Sequence, residues 1–125
     1  MGLDTYAMVI KENPTALECM PDSLFEEHGL TQGIFAYNSN CFRGKIYNDY
    51  VEYVTGISLY QEYIPNTTVK EMAVKLRTAA NNFFTTSTDF HNKIKMFGVR
   101  KEEATDLAIW FETVANNNGI VCGWW

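Results

Sequence analysis

The fold is decided by the stretch LDTYAMVI, residues 3–10. It is rich in β-forming residues and alternates in part between apolar and polar side chains, which predicts a strand. The far end of the chain, Ile120–Trp125, reads as a strand as well. Pairing the two strands would hold both ends of the chain in place, so we predict that they are neighbours in one sheet.

The clearest helix lies at residues 68–84. Thr68 and Glu71 have the spacing of a capping box, in which each side chain accepts a hydrogen bond from the backbone of the other. Six apolar residues then follow a helical period and form one stripe: Val69, Met72, Ala73, Leu76, Ala80 and Phe83. We therefore predict that this stripe packs against the core.

Three more helices are predicted from periodicity and end signals. Residues 45–55 place Ile46, Tyr50, Tyr53, Val54 and Ile57 on one face, and Gly56 is suited to end that helix. A short helix capped by Thr88 or Asp89 should run to Phe97 and stop at Gly98. The last helix covers residues 101–115, and residues 116–119 supply a left-handed exit.

The remaining segments are predicted as follows. Residues 14–32 are irregular except for one helical turn at 23–27, residues 33–37 form a second strand, and 58–60 with 63–64 form a short third strand. The expected fold is a single α+β domain over residues 1–125. A small, mostly antiparallel sheet of three to four strands includes both termini, and three to four helices pack on one face.

Composition and charge exclude several classes of protein. Hydrophobic residues make up 46% of the chain and charged residues 20%, which argues against a disordered or coiled-coil chain. The net charge of −5 disfavours general nucleic-acid binding and an anionic membrane surface. The chain has three cysteines and no CxxC pair, so we expect all three to be free thiols and the protein to lie in a reducing cytoplasm.

Three short motifs resemble pieces of small uncharacterised phage and bacterial proteins that begin MGLD. They are the opening residues 1–4, the segment FRGKIY at 42–47 and the closing residues 123–125. The resemblance implies a phage-associated, accessory role, in the host cytoplasm if the chain is phage-encoded. It carries over no catalytic residue.

The sequence predicts no catalytic residue, cofactor or metal site. Neither His28 nor His91 has a second ligand at the usual metal-binding spacing. The alternative is that Cys19, His28 and Cys41 meet in space and form a metal site. The carboxylate pairs at 26–27 and 102–103 are neighbours in sequence. Side chains at adjacent helical positions point in different directions, so we interpret both pairs as solvated helix ends.

A ligand site is predicted where Arg43, Gly44 and Lys45 precede a helix and Tyr47 follows. The first backbone N–H groups of a helix attract anions, two cations add charge, and a glycine lets a ligand approach the backbone. Such a site would hold a phosphate-like or nucleotide-like ligand. The alternative is an ordinary loop in which Arg43 pairs with a carboxylate such as Asp49.

Aromatic residues suggest an interface. Aromatic side chains with a polar tip are enriched at interfaces, and Tyr60, Trp124 and Trp125 are the candidates here. The alternative is that the terminal tryptophans fold back on the sheet, while Tyr50 and Tyr53 face the core. We therefore expect a non-enzymatic interaction protein that forms a homodimer or binds a protein partner. A small-molecule binding protein using the residues from Arg43 to Tyr50 is the alternative.

Overall fold

The computed structural model describes residues 2–12, 15–26, 40–84 and 88–125. Within these residues the helices pack on one side of an antiparallel sheet, which confirms the α+β class. The elements are β1 (Asp4–Glu12), β2 (Thr15–Cys19), α1 (Asp22–Glu26), β3 (Cys41–Arg43), α2 (Gly44–Thr55), α3 (Asn66–Asn81), α4 (Thr88–Phe97), α5 (Lys101–Asn116) and β4 (Ile120–Trp124).

Strand β1 is the centre of the sheet and pairs antiparallel with the other three strands. Tyr6 has partners in both β3 and β4, and Met8 has partners in both β2 and β4. A strand has two edges, so β2 and β3 must share the edge opposite β4. The predicted pairing of the two terminal strands is thus confirmed.

Strands β2 and β3 were not predicted. They follow one another along the same edge of β1, joined at Ala7, whose carbonyl accepts from Met20 and whose N–H donates to Asn40. The Asn40 side chain closes this junction by donating to the Met20 carbonyl at 2.8 Å. The interpretation of residues 14–32 as irregular is therefore wrong for β2, and the predicted strand at 33–37 lies outside the described residues.

The core lies between the inner face of the sheet and the helices. Leu3, Thr5 and Ala7 point inward from the N-terminal segment and are buried. Phe42 of β3 links the two layers, because its ring packs edge-to-face against the Trp110 ring. The ring centroids are 4.8 Å apart and the ring planes meet at 90°. Such an edge-to-face pair adds to the burial free energy of both rings.

Most predicted helices are confirmed, and the whole stripe from Val69 to Phe83 is buried. Gly56 and Gly98 end their helices with positive φ, and Asn118 makes the left-handed exit after α5. The prediction of a capping box at Thr68 and Glu71 is wrong, because α3 already begins at Asn66 and no side chain caps it. A short strand at 58–60 is also absent from the described structure, where only Ile64 forms an isolated bridge, to Val121.

The buried face of α2 differs from the predicted one by about one residue position. Ile46 is exposed and Tyr53 is 43% exposed, whereas Tyr47, Tyr50 and Val51 are buried. The helix follows β3 without a loop, and this direct connection sets its rotation. The periodicity identified the helix but not the stripe that faces the core.

Candidate functional site

The face of the sheet opposite the helices is the main candidate site. Residues directly opposite in neighbouring strands point to the same side, so the register identifies the members of this outer face. The outer face consists of Asp4, Tyr6, Met8, Ile10, Leu17, Cys19, Cys41, Arg43, Ile120, Cys122 and Trp124. Three of its apolar side chains are largely exposed: Ile10 at 57%, Leu17 at 48% and Trp124 at 75%.

A groove of about 440 Å³ runs along the outer face. Its lining is mostly apolar and comes from β1, β2 and β4: Tyr6, Met8, Leu17, Cys19, Cys122 and Trp124. Glu62 adds a carboxylate to its wall. The groove therefore combines an apolar floor and one acidic side with a large aromatic side chain that stands beside it.

All three cysteines belong to the outer face, and none forms a disulfide. Cys19 is exposed, whereas Cys41 and Cys122 are buried. Burial raises the pKa of the Cys122 thiol, and the nearby Cys19 raises it further. Cys122 thus behaves as the small buried hydrophobe that was expected, while Cys19 is the thiol within reach of solvent.

The predicted interface residues divide into two groups. Trp124 lies on the outer face, while Trp125 contacts Tyr60 with ring centroids 5.8 Å apart. Trp125 is 51% exposed and Tyr60 is 41% exposed, so neither tryptophan is folded into the core. The structure brings Tyr60 and Trp125 together beside the end of β4.

The predicted ligand residues lie at the junction of β3 and α2. Arg43 ends β3 opposite Asp4, and Lys45 is exposed in the first turn of α2, where its N–H donates to the Leu3 carbonyl at 3.2 Å. Gly44 is buried, and a Cβ there would overlap Thr5 Oγ1 and lie 2.8 Å from Leu3 Cδ2. Packing of the chain on itself therefore accounts for this glycine.

Tyr47 packs its ring against Phe42 of β3 and joins α2 to α5 through its hydroxyl. Its hydroxyl donates to Glu103 Oε2 at 2.5 Å, and the other oxygen of Glu103 accepts from the backbone and side chain of Arg100. Burial opposes ionisation of Glu103, but the hydrogen bonds from Tyr47 and Arg100 prevail and lower the pKa of the carboxyl. Burial, and then the Glu103 carboxylate, raise the pKa of Tyr47.

This arrangement corrects the interpretation of Glu103 as part of a solvated helix end. Its side chain is only 12% exposed, whereas the neighbouring Glu102 is exposed. The arrangement also places a carboxylate, rather than an anion-binding group, beside the Tyr47 hydroxyl. No sequence signal distinguished Glu103 from Glu102, because the distinction depends on which of the two carboxylates meets Tyr47 of α2.

In the part of the chain that the structure describes, no group of three or more His, Cys, Asp or Glu residues is placed to hold a metal ion. Cys19 and Cys41 lie on the same edge of β1, but His28 falls outside the described residues. Among the described helices, none has the length and apolar character needed to cross a membrane. No protein-family model, curated protein or solved structure matches the chain.

Proposed function

We propose that this chain is an interaction protein that associates with a second copy of itself through the outer face of the sheet. The observation that carries the proposal is the contrast between the two sheet faces. The inner face is covered by helices, whereas the outer face presents Ile10, Leu17 and Trp124 to solvent beside an apolar groove, although Cys41, Ile120 and Cys122 on the same face are buried. Exposed apolar side chains beside an apolar groove are typical of an interaction site.

The free energy available on this face is substantial. Full burial of a Leu or Ile side chain is worth about 1.5–3 kcal/mol relative to exposure. Because Ile10 and Leu17 are each about half exposed, covering either one in an interface would contribute roughly half of that free energy. These two residues are direct cross-strand partners, so one contact would cover both. In a symmetric dimer each contact occurs twice, which doubles the gain.

A second copy suits the face because the face carries both a projection and a recess. Trp124 stands out at 75% exposure, and the groove lies next to it on the same surface. A two-fold dimer needs one patch that is complementary to itself, and a bulky side chain beside a groove meets that need. Aromatic anchors are also the residues that most often dominate binding energy.

The proposal is for a binding function with no catalytic step. The phage-associated, accessory role in a host cytoplasm is retained as part of the proposal and rests on the short motifs alone. The alternative of an anion site at Arg43–Lys45 gains no support from the geometry, since the chain itself occupies the approach to Gly44.

The test places one charge on the outer face. Leu17→Glu should abolish self-association, measured by sedimentation velocity over a range of protein concentrations. Ile46→Glu is the matched control, because Ile46 is also about half exposed, at 54%, but lies on α2. Both variants should melt cooperatively near the wild-type temperature. A wild-type protein that remains monomeric at high concentration, or a Leu17→Glu variant that still associates, would contradict the proposal.

A further inference from the structure

The groove on the outer face runs diagonally, from β2 across β1 to β4. At one end Leu17 pairs with Ile10, and at the other end Trp124 pairs with Asp4, far along β1. At about 3.4 Å per residue and about 4.8 Å per strand, the two ends are roughly 20 Å apart. A volume of about 440 Å³ spread over that length makes the groove narrow, with room for one extended hydrocarbon chain.

The lining favours a hydrocarbon over a peptide or a nucleotide. Met8, Leu17 and Cys122 line it with apolar surface, and the buried Cys122 is part of its floor. The backbone of β1 already pairs with strands on both of its edges, so an extended peptide lying in the groove would gain no ladder of hydrogen bonds. None of the described lining residues is Lys or Arg, the side chains that a phosphate would need.

The β4 end of the groove is negatively charged. Glu62 lines the groove there, since the carbonyl of the preceding Gln61 accepts from the backbone of β4 at 3.0 Å. Trp124 offers a ring at 75% exposure at the same end. Asp4 and Arg43 are direct cross-strand partners, so their charges offset each other. A carboxylate and an indole ring at one end of an apolar groove are complementary to an organic cation.

We propose that this groove binds a single-chain amphiphile with a cationic headgroup, such as an alkylammonium. The headgroup lies between Glu62 and the Trp124 ring, and the hydrocarbon chain runs over Met8 toward Leu17. The site is complete within one chain, so it goes beyond the proposed self-association and does not depend on it. The proposed dimer covers the same surface, so the ligand and a second copy should exclude each other.

Isothermal titration calorimetry with octyltrimethylammonium, kept below its micelle-forming concentration, tests the site. Octanoate and 1-octanol have chains of similar length with a negative and a neutral headgroup, so they isolate the effect of charge. The cation should saturate one site per chain and bind about tenfold or more tightly than octanoate, because Glu62 attracts one headgroup and repels the other. Titrations that do not saturate, or equal affinity for octanoate, would overturn the proposal.

Two substitutions test the headgroup position. Glu62→Gln should weaken binding of the cation by about three- to fivefold and leave 1-octanol unchanged, since it removes only the charge. Trp124→Ala should weaken binding of the cation by about tenfold. Glu52→Gln, at an exposed carboxylate of α2, and Trp125→Ala, at a ring that contacts Tyr60, are the matched controls outside the groove. Controls that weaken binding as much as the groove variants would contradict the assignment.

The exposed thiol of Cys19 reports the position of the hydrocarbon chain, because it lines the groove. Octyltrimethylammonium at about ten times its dissociation constant should slow the reaction of Cys19 with a thiol reagent by about tenfold, since the thiol then reacts in the unoccupied fraction of the protein. An unprotected Cys19 at saturation would place the amphiphile elsewhere and overturn the proposal.

The variant Ile10→Glu separates this proposal from self-association. Ile10 is exposed on the outer face but does not line the groove, so the new charge should prevent dimerisation and leave binding of the cation intact. In sedimentation velocity, the cation should dissociate a wild-type dimer, and a dimer that persists at saturation would overturn the mutual exclusion. Binding to a wild type that is always monomeric would support the groove site and overturn self-association, whereas a dimer without binding would do the reverse.

Discussion

Two tyrosines on α2 should respond with opposite signs to the same change, the removal of a hydroxyl group. Tyr50 is fully buried, and its hydroxyl has no hydrogen-bond partner among the residues that the structure describes. Burial raises its pKa to about 12. Tyr47, one turn earlier, is also buried, but its hydroxyl donates to Glu103 at 2.5 Å. Tyr50→Phe and Tyr47→Phe therefore remove an unsatisfied and a satisfied hydroxyl from one helix.

The structure sets the expected magnitudes. A buried polar group without a partner costs about 1–3 kcal/mol, so Tyr50→Phe should raise the free energy of unfolding by about 1–2 kcal/mol. A hydrogen bond to a charged group is worth about 1.5–3 kcal/mol, reduced here because Glu103 keeps its bonds to Arg100. Tyr47→Phe should therefore lower the free energy of unfolding by about 1–2 kcal/mol.

Guanidinium denaturation at neutral pH measures both changes, with an unchanged slope showing that the compactness of the end states is preserved. The two variants should differ in melting temperature by roughly 5–15 °C for a chain of this size. A Tyr50→Phe variant that loses as much stability as Tyr47→Phe would refute the assignment of the two hydroxyls.

The Tyr47 effect should also depend on pH. The folded protein lowers the pKa of Glu103, so this carboxylate stabilises the fold above its ordinary pKa. That contribution is lost as the pH falls through the lowered value. The stability difference between wild type and Tyr47→Phe should therefore be constant near neutral pH and shrink in acid. The difference between wild type and Tyr50→Phe should not change over the same range.

Three further predictions follow from packing, and one from exposure. Leu76→Ala should cost about 2–5 kcal/mol in chemical denaturation, since the side chain is fully buried, and a loss below about 0.5 kcal/mol would contradict this. Gly44→Ala should destabilise the fold because its methyl group would overlap Thr5; an unchanged melting temperature would show that the contact relaxes. Deleting residues 120–125 removes five register pairs from β1 and should unfold or aggregate the protein, whereas a truncation that melts cooperatively would refute the role of β4. In native protein made under reducing conditions, Cys19 should react with a thiol reagent faster than the two buried cysteines, and denatured protein should show three reactive thiols.

Local patterns in the sequence determined most of the helices and the two terminal strands. The stripe from Val69 to Phe83 repeats at helical spacing, and this spacing requires no knowledge of what the helix packs against. Gly56 and Gly98 end their helices for a similarly local reason, the freedom of glycine to adopt positive φ. The strand character of residues 3–10 and 120–125 was equally visible.

Tertiary structure decided which of these patterns were used. Thr68 and Glu71 have the spacing of a capping box, but α3 starts two residues earlier, and the Asn66 side chain donates to the Gly119 carbonyl at 2.8 Å instead. This contact ties the start of α3 to the start of β4. A contact between residues 53 positions apart in sequence cannot be read from either local segment.

The candidate site depends even more on long-range pairing. β2 is short and β3 has only three residues, and both gain their hydrogen bonds from β1 rather than from their own pattern. Trp124 was visible in the sequence as a candidate interface residue, but Leu17 was not, because its exposure follows from its register with Ile10. The groove is built from side chains of separate strands, and only strand pairing brings them onto one face, because the direction of each side chain is set by its position in the register.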